Sequence, residues 1–215
     1  KDALISELLG SIERELKERG YYLMMCFSSD TRELIQRVSA WNADGLILFG
    51  IMAEDYQAIQ KQFQKPQVYI DSYLGEIRLN GVNIGLDDRR GGYMAGRYLI
   101  EHGHSRIGFL ADNLKGGDYE RYCGFREAMS EAGLPVLDTD FIEVEPDEQS
   151  LAVCYEMVYR RRHEFTAFFC ASDYYALCLM NFLMDRGVNV PEEISIMGFD
   201  DNIYSRMARP AITTI

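Results

Sequence analysis

Short apolar runs alternate with longer amphipathic stretches along most of this chain, and that alternation narrows the folds open to it. Residues 2–19 place Leu4, Ile5, Leu8, Leu9, Ile12 and Leu16 at helical spacing, with Gly20 as a stop. YYLMMCF at residues 21–27 is an apolar run suited to a buried parallel strand. A helix to about residue 41, a strand at 45–49, a helix at 54–64 and a strand at 67–70 continue the rhythm. After an irregular polar stretch at 72–80 come strands at 82–86, 106–110, 141–144, 167–170 and 194–198. Helices at 89–101, 119–131, 148–162 and 174–186 separate them, and AITTI at 211–215 is strand-like. Such repeats imply parallel strands joined by crossovers, hence an α/β fold. A boundary near residues 80–86 leaves three strands before it and five after. Three strands are few for a stable sheet, so neighbouring elements at both ends are expected to be missing from this piece.

The formal charge is −12, from 22 basic and 34 acidic residues, which repels phosphate backbones; this piece alone is not expected to grip nucleic acid. No apolar run approaches the ~20 residues of a membrane helix. Five cysteines, Cys26, Cys123, Cys154, Cys170 and Cys178, form no CxxC pair and sit in or beside apolar runs. Reduced thiols and a cytoplasmic setting are the expectation.

Enzyme signals are weak. Of three histidines, His102 and His104 flank a helix stop; GHSRIG at 103–108 misses the nucleophile-elbow spacing by one residue. There is no phosphate loop and no HExxH, so no cofactor and no metal are called for. Polar residues do gather at strand ends: Asp71, Asp87-Asp88, Ser172-Asp173 and Asp200-Asp201. Each alone is a good helix cap, but four such caps at the carboxyl ends of parallel strands make a polar rim where ligands bind. Arg121, near the start of the helix at 119–131, is unfavourably placed for a cation unless an acid or a ligand oxygen holds it; pairing with Glu120 or Glu127 at the surface is the other possibility. Tyr73, Tyr119, Tyr122, Phe125, Tyr174 and Tyr175 fall near the rim, where rings can stack on a sugar or simply fill the core.

Several blocks now carry a family resemblance: GHSRIGFL (103–110), ERYCGFREAMSEAGL (120–134), TAFFCASDYYA (166–176), VPEEISIMGFDD (190–201) and RPAITTI (209–215). With NADGLIL (42–48) and IGLDDRRGGYMAGRYLIEHGH (84–104), they resemble, in order over nearly the whole chain, the effector-binding core of LacI/GalR transcription regulators. The resemblance implies two Rossmann-like lobes of the periplasmic-binding-protein type I kind with a ligand between them. Residues 1–83 would form an incomplete N-terminal lobe, 84–210 the C-terminal lobe, and 211–215 a crossover back toward the first. Arg121 matches the arginine that contacts effector and Asp200 the acid that binds effector hydroxyls. Ser172 and Asp88 stand where many members have asparagine, and they join Asp71 as candidate effector contacts.

The resemblance also implies a homodimer, with Leu177 and Met207 facing the partner, and contact with operator DNA only through a helix-turn-helix headpiece lacking here. The leading expectation is therefore a non-enzymatic sensing core for a small molecule, such as a sugar, with no membrane partner. A sugar-binding protein of a transporter is the alternative. A hydrolase using Asp200 and Asp87 is a third, and no base, nucleophile or metal cluster accompanies those acids.

Overall fold

A computed structural model describes residues 3–28, 30–75, 77, 79–112, 114–144 and 148–215, excepting the side chains of Ala3, Leu4 and Glu148. The chain divides into two compact units, Leu8–Leu86 and Asp87–Ile215, the latter with Lys1–Glu7.

Helix α1 spans Ala3–Glu18 and ends at Gly20, whose φ of +79° suits the residue beyond a helix; Asp2, read as its start, lies outside the described residues. Within Leu8–Leu86, α2 (Thr31–Ala40), β1 (Leu46–Phe49), α3 (Ala53–Gln62), β2 (Gln67–Ile70) and β3 (Val82–Ile84) follow. The sheet runs β1-β2-β3, all parallel. Asp30 starts α2 by accepting from the Arg32 N–H at 2.8 Å. Ile35, Leu48, Tyr56, Ile59 and Tyr69 form the core of this unit.

One expected strand is not there. Residues 21–27 join no ladder, and Tyr22 and Phe27 are 93% and 76% exposed. Apolar composition alone makes no strand: the backbone needs a neighbour to pair with, and among the described residues none is offered to this run. A second correction concerns the boundary. Ile84 pairs with Ile70, so β3 belongs with β1 and β2 rather than with the residues after it.

In Asp87–Ile215 the elements are α4 (Asp88–Glu101), β4 (Ile107–Ala111), α5 (Gly116–Glu131), β5 (Phe141–Glu143), α6 (Glu148–Arg161), β6 (Ala167–Cys170), α7 (Asp173–Met184), β7 (Ser195–Gly198), α8 (Ile203–Met207) and β8 (Thr213–Thr214). The parallel sheet runs β5-β4-β6-β7-β8. Within residues 211–215, Thr213 lies opposite Met197, as a strand beside β7. Strands β4 and β6 are buried throughout, as IGFLA and AFFC predict for strands covered on both faces. Period-two alternation sorts their side chains. Leu110, Phe168 and Cys170 pack with α6 and α7, whereas Phe109, Ala111 and Phe169 pack with α4 and α5.

Helices α4 and α5 touch backbone to backbone. A Cβ on Gly92 would collide with the Arg121 carbonyl, and one on Gly124 with the Arg89 carbonyl. This contact brings the first turn of α4 beside Arg121.

Candidate functional site

The chain enters the five-stranded sheet at β4, goes to β5 on one side, then returns to β6 on the other. Between β4 and β6 the strand order reverses, and in open parallel sheets the crevice at that reversal, outside the carboxyl ends, receives ligands. The segments leaving those ends meet around Arg121.

Its guanidinium donates from Nε to Asp88 Oδ1 at 2.8 Å, and from Nη1 to the carbonyl of Ala171 just beyond β6. Asp118 Oδ1 lies 3.8 Å from Nη1, and Asp200 Oδ1 lies 3.9 Å from Nη2. The plane rests on Phe199, with Cζ 3.7 Å from the ring centroid. The arginine side chain is 12% exposed, Asp88 3% and Asp200 9%. Helix α5 starts at Gly116, three residues before the expected start, so Arg121 sits in the second turn and not at the terminus. What holds this cation is a buried carboxylate on the neighbouring helix; Glu127, weighed as a surface partner, pairs with Arg89 at 3.3 Å instead.

The loop after β7 carries Asp200 into place through an unusual backbone, with φ of 106° at Asp200 and 46° at Asp201. Asp173 holds that loop. Fully buried in the first turn of α7, it accepts the Asn202 N–H at 2.8 Å and the Thr214 hydroxyl at 2.6 Å. Its own N–H donates to the Phe199 carbonyl at 2.9 Å. Burial raises its pKa, and the hydrogen bonds from Thr214 and Asn202 act against the rise.

On the other flank, Asp118 is hydrogen-bonded to Asp112, the residue after β4. Burial first, then that bond, pushes the Asp118 carboxyl up to about 8, against the pull of Arg121. A carboxyl–carboxylate pair of this kind keeps one proton. Burial and the nearby Asp112 and Asp118 also raise the Tyr175 phenol, whose side chain is hydrogen-bonded to Asp112.

The structure thus brings together Arg121, Asp88 and Asp200. Ser172 caps α7, its hydroxyl accepting the Tyr175 N–H at 3.4 Å. Asp87 caps α4 by accepting from the Arg90 N–H at 3.1 Å. Asp71, at the carboxyl end of β2 with a φ of 46°, belongs to the unit Leu8–Leu86 and is described with it. Leu177 is half-buried against the α6–α7 core, and Met207 is 69% exposed. Of the rings placed near the rim, Tyr122 and Phe125 fill the core. Sequence reasoning missed Phe199 and Asp112. The second had a signal: it follows an apolar strand, as Asp200 does. Among the described residues no cluster could hold a metal ion, and no helix is long and apolar enough to cross a membrane.

A doubly wound sheet with a polar, arginine-centred carboxyl end defines a ligand-binding class of α/β protein, and comparison with known proteins narrows it. The periplasmic binding protein-like domain matches residues 97–215. The HTH-type transcriptional regulator GalR of Escherichia coli K12 is 41% identical over 133 residues, covering 61% of this chain and 39% of that protein. The HTH-type transcriptional repressor PurR of Yersinia pestis bv. Antiqua is 31% identical over 228 residues, covering 98% of this chain and 63% of its own length. A transcriptional regulator CelR–cellobiose complex superposes with a TM-score of 0.87 at 25% identity, over 99% of this chain and 67% of that one. The chain belongs to the periplasmic binding protein-like domain family, as a core of the LacI/GalR type. It spans 39% of the GalR relative and 63% of the PurR relative.

Proposed function

We propose that this chain is the effector-sensing and dimerising core of a LacI/GalR-type transcription regulator, and that its effector is a small polyol or sugar bound at Arg121, Asp88 and Asp200. The observation carrying the reading is Arg121 itself, held by Asp88 at 2.8 Å, stacked on Phe199 and 3.9 Å from Asp200 at the carboxyl end of the sheet. Carboxylates accept hydroxyl hydrogens, the guanidinium donates to hydroxyl oxygens, and the two signs at fixed spacing suit a polyol. The relatives' names are those of transcription regulators, which favours this reading over a transporter's binding protein and over an enzyme.

In this reading Leu8–Leu86 is the N-terminal lobe and Asp87–Ile215 the C-terminal lobe. Ser172 and Asp71 are further effector contacts, and Leu177 and Met207 face a second copy. DNA is read by a headpiece preceding the chain, in the cytoplasm. Effector binding need shift the regulator's balance by only ~1–3 kcal/mol.

Calorimetry against a panel of neutral sugars and polyols tests the site. Arg121→Ala is expected to weaken binding more than roughly tenfold, a loss above about 1.4 kcal/mol. Unchanged affinity in that variant takes Arg121 out of the effector site.

A further inference from the structure

The proposed effector site contains an arginine, and arginine is the usual grip for phosphate and carboxylate groups. The surroundings of Arg121 argue the other way. Asp88, Asp118 and Asp200 lie 2.8, 3.8 and 3.9 Å from its nitrogens. Two of its donors are committed, Nε to Asp88 and Nη1 to the Ala171 carbonyl, and one face is covered by Phe199. With Asp118 keeping its proton, two buried carboxylates still flank one guanidinium, so the cluster carries net negative charge before any ligand arrives. An incoming phosphate would sit beside Asp88 and Asp200, and like charges repel strongly in a poorly hydrated place. To reach Nε it would also have to displace Asp88, leaving that carboxylate buried and unpaired. A neutral hydroxyl carries no charge to be repelled, and it can donate to a carboxylate oxygen.

We infer that this site selects uncharged polyhydroxyl compounds and turns away phosphorylated and carboxylated ones, with Asp200 acting as the specificity-determining residue. Asp88 holds the arginine in place; Asp200 sets the sign of the charge that a ligand meets. The inference rests on the effector reading of this site, but the charge selection can be measured without knowing the effector.

The probe is inorganic phosphate, titrated into the chain by calorimetry and by phosphorus NMR linewidth. Wild type is expected to show no saturable binding at millimolar phosphate. Asp200→Asn keeps a residue that tolerates positive φ, so the change spares the fold. That variant is expected to bind phosphate roughly tenfold or more tightly than wild type. Saturable phosphate binding by wild type that shifts the Arg121 side-chain resonance overturns the inference; so does a variant no better than wild type. In a second arm, each neutral sugar that binds is compared with its phosphate ester, and an ester that binds as well as its parent also overturns it. If no polyol binds at all, the sensor proposal fails, while the phosphate titration still decides the charge selection.

Discussion

At the scale of single residues, the site is built from groups that would be unstable alone. Asp173 is a fully buried carboxylate in α7 whose partners, Asn202 and Thr214, lie in two other segments, the 200–202 loop and β8. Asp118 solves the same problem with a proton. Its carboxyl sits at about 8 against an ordinary 3.8, pushed up by burial and by the bond to Asp112, with Asp88 adding to the rise and Arg121 opposing it. The folded chain therefore holds a proton that the unfolded chain gives up near 3.8. This contribution to stability is complete below that value, shrinks as the pH rises toward about 8, and is spent above it. Asp118→Asn has no proton to lose. Its urea midpoint is expected to fall behind or match wild type at pH 5 and to gain on it steadily up to pH 8. Midpoints that run parallel across that range would show that Asp118 ionises normally.

At the scale of elements, the joint between α4 and α5 decides whether the site exists, because it sets Asp88 against Arg121. Gly124 allows it: any Cβ there meets the Arg89 carbonyl, which belongs to backbone and cannot rotate away. Gly124→Ala is expected to cost about 3 kcal/mol, near the upper end for overpacking, and to lower the melting temperature by roughly ten degrees. Gly10→Ala is the control, since nothing lies within 4 Å of a Cβ there and helix propensity gains about 0.5–1 kcal/mol. Equal melting temperatures for the two variants would mean that the helices can separate freely. Elements whose period is internal were legible in the residue pattern: β2 and β6 occupy the expected residues, and α4 and α7 begin one residue from them. Elements defined by a partner were not. Residues 21–27 have the composition of a strand and no ladder. AITTI at 211–215, equally strand-like, does form a strand at Thr213–Thr214, because β7 lies beside it. The start of α5 was hidden because Gly116 and Gly117 read as loop. The site divides in the same way. Arg121, Asp88 and Asp200 could be named from strand ends and family blocks, whereas Phe199 looks like one more core residue until the guanidinium is seen lying on its ring.

At the scale of the whole chain, the two units differ in how much sheet they protect. In Asp87–Ile215, β4 and β6 have a strand on each side and buried residues throughout, with rings such as Phe109, Phe168 and Phe169 fully buried. Each such ring contributes about 1.5–3 kcal/mol. In Leu8–Leu86 the sheet has three strands, and all three residues of β3 are exposed, Val82 and Ile84 at 57% and 58%. Amide protection follows the free energy needed to expose each bond, and a sheet with an uncovered edge strand opens by smaller steps than one enclosed on both faces. Native-state hydrogen exchange is therefore expected to label β3 first, then β1 and β2, well before β4 and β6. The slowest amides should be those of Phe109 and Phe169, which exchange only when the five-stranded sheet itself comes apart. If β1–β3 and β4–β6 exchange together at all denaturant concentrations, the two units unfold as one and the larger sheet confers no separate stability.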